Sequence, residues 1–192
     1  MSLGIPASIG LAFLILPAVR IIYGADYAPT AYNLPLILSS VLISLLIAEE
    51  SLAGLYASLF ASKDKIKLPA TMMLVLTAVN IVLNYLFIKL LMPFGEIWAL
   101  VAVASATFLT RYANVFALGF LSRKYLGIGI LFKDIFKPLI SALVMLVFLW
   151  GFNWLFNPGI WLSVAMIALA AGVYFIALIL LEKINYFCDN AK

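Results

Sequence analysis

Apolar residues fill six long blocks of this chain, at 4–23, 32–61, 68–91, 97–121, 137–156 and 160–181, and polar or turn-forming residues separate them. A helix crosses the ~30 Å hydrocarbon core of a bilayer with about 20 mainly apolar residues, a length every block reaches. The separators are chemically suited to their place. Gly24-Ala25-Asp26-Tyr27-Ala28-Pro29 parts the first two blocks and Lys63-Asp64-Lys65-Ile66-Lys67 ends the second. Pro93-Phe94-Gly95-Glu96 ends the third, Arg123-Lys124 through Lys137 follow the fourth, and Asn157-Pro158-Gly159 turns the fifth into the sixth. The pattern predicts an all-α polytopic membrane helix bundle of about six transmembrane helices, a single transmembrane domain over 1–192. The second block, at roughly 45 Å, is longer than a perpendicular span, which predicts a tilt or a projection past the cytoplasmic surface.

Composition removes the soluble alternative. The chain is 67% hydrophobic and 10% charged, with a mean hydropathy of +1.20, against ~45–50% and ~25% in ordinary globular domains. A water-soluble fold of 192 residues could not hide that much apolar surface, so membrane lipids are the first partners expected. The net charge of +4 is no sign of nucleic-acid binding, because the cations fall in short clusters between apolar blocks. Lys63, Lys65, Lys67, Arg123, Lys124, Lys133, Lys137, Lys183 and Lys192 fall on one side of the alternating connections. Only Arg20 and Lys89 fall on the other. That bias predicts a multi-pass protein of the cell membrane with both termini cytoplasmic. The N-terminus has no basic run or evident cleavage site, so no removable signal peptide is expected.

The chemistry open to the chain is narrow. Histidine is absent and Cys188 is the single cysteine, which leaves no imidazole chemistry, no disulfide and no metal cluster. No HExxH, Gly-rich phosphate loop, carboxylate cluster or CxxC occurs. No catalytic residue and no cofactor is therefore expected, and an enzyme is the weakest reading.

Polar residues inside the blocks carry the remaining information, since ionisable groups in hydrocarbon are costly. Glu49 and Glu50 in the second block and Arg111 in the fourth lie at comparable depth. An ion pair between them is a structural bridge on one reading, alongside a glutamate kept protonated. On the other reading the three line a cavity that handles a charged substrate or a coupling proton. Thr107, Arg111 and Asn114 share one helical face, and Thr77, Asn80 and Asn84 share another. Such stripes line a wet path or hydrogen-bond one helix to its neighbour. Ser40, Ser44, Ser51, Ser58 and Ser62 form a small-residue stripe suited to helix packing, with Glu49 nearly opposite. If the serines face a helix, Glu49 is expected to face a cavity or another subunit. Tyr23, Tyr27, Trp98, Tyr125, Trp154 and Trp161 sit near block ends, as membrane anchors do.

The order of these features resembles a known family. Pro6-Ala7-Ser8-Ile9-Gly10-Leu11-Ala12 leads to Ile21-Ile22-Tyr23-Gly24-Ala25-Asp26-Tyr27, and a long helix ends in Leu59-Phe60-Ala61-Ser62-Lys63-Asp64-Lys65. Asn80-Ile81-Val82-Leu83-Asn84 follows, then Phe94-Gly95 and the alanine-rich run Val101-Ala102-Val103-Ala104-Ser105-Ala106-Thr107. Over 6–125 this order is similar to that of polysaccharide (lipid-linked oligosaccharide) flippases of the multidrug/oligosaccharidyl-lipid/polysaccharide exporter superfamily. Where that family has a small-residue turn, this chain has Gly95-Glu96-Ile97-Trp98-Ala99-Leu100. The likeness covers only the last six of the family's fourteen helices. It leaves open a truncated product, one piece of a split protein, or a fragment that needs a second membrane polypeptide to supply the other helices. It implies translocation of a lipid-linked glycan by alternating access. Arg111, Arg20, Asn80, Asn84 and Asn114 are then candidate cavity-lining residues that bind substrate, with Glu49 and Glu50 as coupling or ion-pair groups. Two other readings stand beside it. One is a non-transporting remnant or assembly partner, and the other is a cation-coupled drug exporter fragment.

Overall fold

The computed structural model describes residues 3–23, 34–128, 132–156 and 160–190, and these form six α-helices. In chain order they are α1 (Gly4–Tyr23), α2 (Leu34–Ala61), α3 (Lys67–Leu91), α4 (Trp98–Leu126), α5 (Phe132–Phe156) and α6 (Ile160–Asn190), with a 3-10 turn at Met92–Phe94. Each coincides with one apolar block to within a few residues, except where α4, α5 and α6 run further into the polar flanks. The Gly24–Pro29 and Asn157–Gly159 connections lie outside the described residues.

Breaks fall where the backbone demands them. α4 ends at Gly127, whose φ of 66° is the left-handed conformation that terminates helices, and the Ser122 hydroxyl donates to the Ile128 carbonyl at 2.7 Å. Gly95, at φ 126°, turns the chain from the 3-10 segment towards α4. Among the described residues, α2, α3 with its 3-10 extension, and α4 are long and apolar enough to cross a membrane. This agrees with the surface. Phe116, Phe120, Leu74 and Trp154 are 73%, 68%, 73% and 80% exposed, a pattern suited to lipid and costly in water.

The helices do not pack in chain order. α4 lies between α2 and α3, α2 also packs on α1, α1 on α5, and α5 pairs with α6, which touches α1 as well. The sequence of neighbours is therefore α3, α4, α2, α1, α5, α6. Two apolar cores result. Ile5, Ala142, Met145, Leu149, Met166, Ala170 and Tyr174 join α1, α5 and α6. Tyr56, Phe60 and Leu118 join α2 to α4. Small side chains set the close approaches: Ala102 and Ala106 are fully buried on α4, while Trp98 at its start is only half-buried. α3 stands at the end of the row with none of its residues buried.

The serine stripe is only partly a packing face. Ser44 is buried, and Gly4 of α1 sits so close to Ser51 that no side chain would fit. Ser58 and Ser62 are exposed. Ser44, Ser51, Ser58 and Ser62 all turn their hydroxyls back onto carbonyls of their own helix. That satisfies each hydroxyl in place without a partner helix.

Gly119 makes room for Tyr56 where α2 and α4 meet: a Cβ there would lie 2.9 Å from the Tyr56 hydroxyl. Gly119→Ala should lower the thermal unfolding midpoint in detergent, by overpacking worth about 1 kcal/mol. Most of the loss should vanish in a Tyr56→Phe background. An equal loss in both backgrounds would refute this contact.

Candidate functional site

The polar residues of the middle helices converge on two sides of one arginine. Arg111 sits near the centre of α4, where α2 flanks one side of the helix and α3 the other. Its Nε lies 3.3 Å from Oε2 of Glu49, and its Nη2 donates to Oε2 of Glu50. The two carboxylates differ in setting. Glu49 is fully buried, whereas the Glu50 side chain is 65% exposed and that of Arg111 35%. Adjacent residues on a helix diverge by about 100°, so a branched cation is needed to meet both. From the next residue of α4, the Tyr112 hydroxyl donates to the carbonyl of Leu45, one turn before Glu49, at 3.0 Å, a second polar tie between α4 and α2.

Glu49 thus faces a third helix of this same chain. The sequence pattern placed a cavity or another subunit opposite the serines. The actual arrangement seats α1 on the serine side at Ser51 and α4 on the glutamate side, because α2 lies between them. Neither oxygen of Glu49 has a hydrogen-bond partner in good geometry among the described residues, so the Arg111 charge is what compensates this buried carboxylate.

On the α3 side, the two predicted stripes meet. Thr77 and Asn80 of α3 and Thr107, Thr110, Arg111 and Asn114 of α4 line a cleft of about 290 Å³, together with Met73 and Leu76. Asn84 donates to Oδ1 of Asn80 at 2.9 Å, and Asn80 donates to the Thr110 hydroxyl at 2.9 Å. Thr110 in turn donates to the Ala106 carbonyl at 2.9 Å. The asparagines therefore tie α3 to α4 while Asn80 also fronts the cleft. Asn114 is 8% exposed and its Oδ1 accepts no hydrogen bond among the described residues. This leaves a buried acceptor without a partner on a residue that lines the cleft.

Of the candidate residues, Arg111, Asn80, Asn114, Glu49, Glu50 and Asn84 are thus brought into one assembly. Arg20 belongs to α1, and its side chain lies outside the described residues. Thr110 is a member that the sequence reading passed over. It lies i+3 from Thr107 and i+4 before Asn114, on the same face, and that spacing was the available signal.

The assembly offers neutral donors and acceptors (three threonine hydroxyls and two amides) beside a cation already engaged by two carboxylates. It can hydrogen-bond a hydroxyl-rich group better than it can bind a bare anion. Comparison with known proteins finds no matching family model, no matching curated protein and no matching solved structure.

Arg111→Ala should destabilise the protein by about 3 kcal/mol, the lower end for breaking a buried pair, since the arginine is one-third exposed. Adding Glu49→Gln should restore much of that loss, whereas adding Glu50→Gln should restore little, because the fully buried Glu49 would still lack its cation. Equal rescue by either glutamine, read from unfolding midpoints, would contradict the assigned asymmetry.

Proposed function

We propose that this chain is a component of a cell-membrane flippase that moves lipid-linked oligosaccharide or polysaccharide precursors by alternating access. In this reading all six helices span the membrane, both termini are cytoplasmic, and the α3–α4 cleft is part of the wall of the translocation path. The observation that carries it is that cleft. Six polar side chains front an opening in the middle of long apolar helices, and hydrocarbon does not tolerate such groups unless water, substrate or another protein meets them. The neutral character of the lining suits the glycan part of a substrate, and the motif order over 6–125 supports the same class. The unburied α3 at the end of the row supports a second membrane polypeptide seated there.

A second reading has its own support. Arg111 holds both nearby carboxylates, and Asn84, Asn80 and Thr110 form a hydrogen-bonded tie between helices. This is the arrangement of a non-transporting assembly protein whose polar residues only hold helices together.

Hydration of the cleft separates the two. In a Cys188→Ser background, cysteines placed at Thr77, Thr107 and Asn114 should react in native membranes with a water-soluble maleimide. A cysteine at Val79, on the apolar surface of α3, should not. Unreactive cysteines at all three cleft positions would favour the non-transporting reading. Affinity purification of the tagged chain should also recover a helical membrane protein at fixed stoichiometry. Recovery of the chain alone, as a monomer or homo-oligomer, would speak against the two-lobed mechanism.

A further inference from the structure

A second cleft lies between α2, α4 and the first turns of α5, away from the polar site. Its volume is about 530 Å³, within the range of roughly 300–1,000 Å³ usual for small-molecule sites. It exists because α4 and α5, although consecutive, do not pack on each other among the described residues; α5 is carried by α1 and α6. Phe116, Phe120 and Phe136 stand along it, with Leu52, Val115 and Leu139.

Three polar groups interrupt this apolar lining, and their order matters. Tyr112 is at the deep end, its hydroxyl already given to the Leu45 carbonyl. Tyr56 comes next along the cleft, against Gly119. It is only 8% exposed, yet its hydroxyl has no hydrogen-bond partner among the described residues. Arg123 closes the series in the last turn of α4, exposed and without a carboxylate partner among the described residues. From Tyr112 to Arg123 the cleft runs about 16 Å along α4. The connections at this end of the bundle are strongly basic in sequence, with Lys63, Lys65, Lys67, Arg123, Lys124, Lys133 and Lys137 against Asp64 and Asp134. Lys65 is held by the Tyr125 carbonyl at 3.0 Å, which leaves Arg123 as the cation that lines the cleft itself.

We propose that this cleft binds one anionic glycerophospholipid from the surrounding membrane. An acyl chain lies along the phenylalanines and leucines, the Tyr56 hydroxyl donates to an ester carbonyl, and the phosphate rests at Arg123. The order of chemistry along the cleft (cation, then a neutral donor, then hydrocarbon) is the order along such a lipid from headgroup to tail. The surplus of cations at the mouth selects a net negative headgroup over a zwitterionic one. The site is separate from the α3–α4 cleft and does not rest on the function proposed for it.

The test is native mass spectrometry of the whole protein released from nanodiscs of equal phosphatidylglycerol and phosphatidylcholine. Wild type should retain one phosphatidylglycerol in preference to phosphatidylcholine. Arg123→Gln should lower that preference about fivefold, the worth of one interfacial cation, with phosphatidylcholine retention unchanged. Leu139→Trp, which fills the cleft, should remove both lipids while helix content measured by circular dichroism stays the same. Lys89→Gln, at the opposite end of the bundle, should change nothing. The proposal is overturned by equal retention of the two lipids in wild type, by an unchanged preference in Arg123→Gln, or by an equal loss in Lys89→Gln.

Discussion

A buried carboxylate at the centre of α2 governs how the middle of this bundle is arranged. Glu49 is wholly removed from solvent, and Arg111 of α4, 3.3 Å away, is the cation that balances it. In a low-dielectric interior an uncompensated charge costs several kcal/mol, so α4 is held beside α2 with its arginine at that depth. The helices run parallel, and the match at one point sets the register of the rest. Tyr112 then reaches the Leu45 carbonyl, Tyr56 meets Gly119, and Phe60 and Leu118 close the apolar core nearer the helix ends.

Fixing α4 in this way also decides where polar groups remain open. With Arg111 turned to the glutamates, the threonine and asparagine face beside it points to α3. There Asn80 and Thr110 join the helices and the Asn114 acceptor is left buried without a partner among the described residues. The tie and the opening are made of the same residue types one turn apart. In a membrane each such hydrogen bond contributes only ~0.6–2 kcal/mol. No residue of α3 is buried, so α3 is the helix of this group least enclosed by its neighbours. Alternating access needs a movable element, which links this packing to the translocation proposed above.

α4 thus presents different chemistry to its two clefts. Towards α3 it offers hydroxyls and amides; towards α5 it offers Phe116, Phe120 and the terminal Arg123. The division follows from helix geometry, since residues three and four apart share a face. It lets one helix serve a hydrophilic surface and a lipid-compatible one at once.

Length and hydropathy alone were enough to determine the helical class and the positions of the six helices. A backbone in hydrocarbon must satisfy its own hydrogen bonds, and continuous apolar blocks leave the α-helix as the local solution. The convergence of Thr77 and Asn80 with Thr107, Arg111 and Asn114 was also readable in part, because each stripe is a periodic property of one helix. Which stripes face each other was not readable. The neighbour order α3, α4, α2, α1, α5, α6 depends on contacts between residues far apart in sequence, such as Gly4 against Ser51 and Arg111 against Glu49. The same cause hid the partner of Glu49, the role of Thr110 and the cleft beside α5, since each is a relation between helices. Periodicity describes one helix at a time, and only tertiary packing decides which two faces share the space between them.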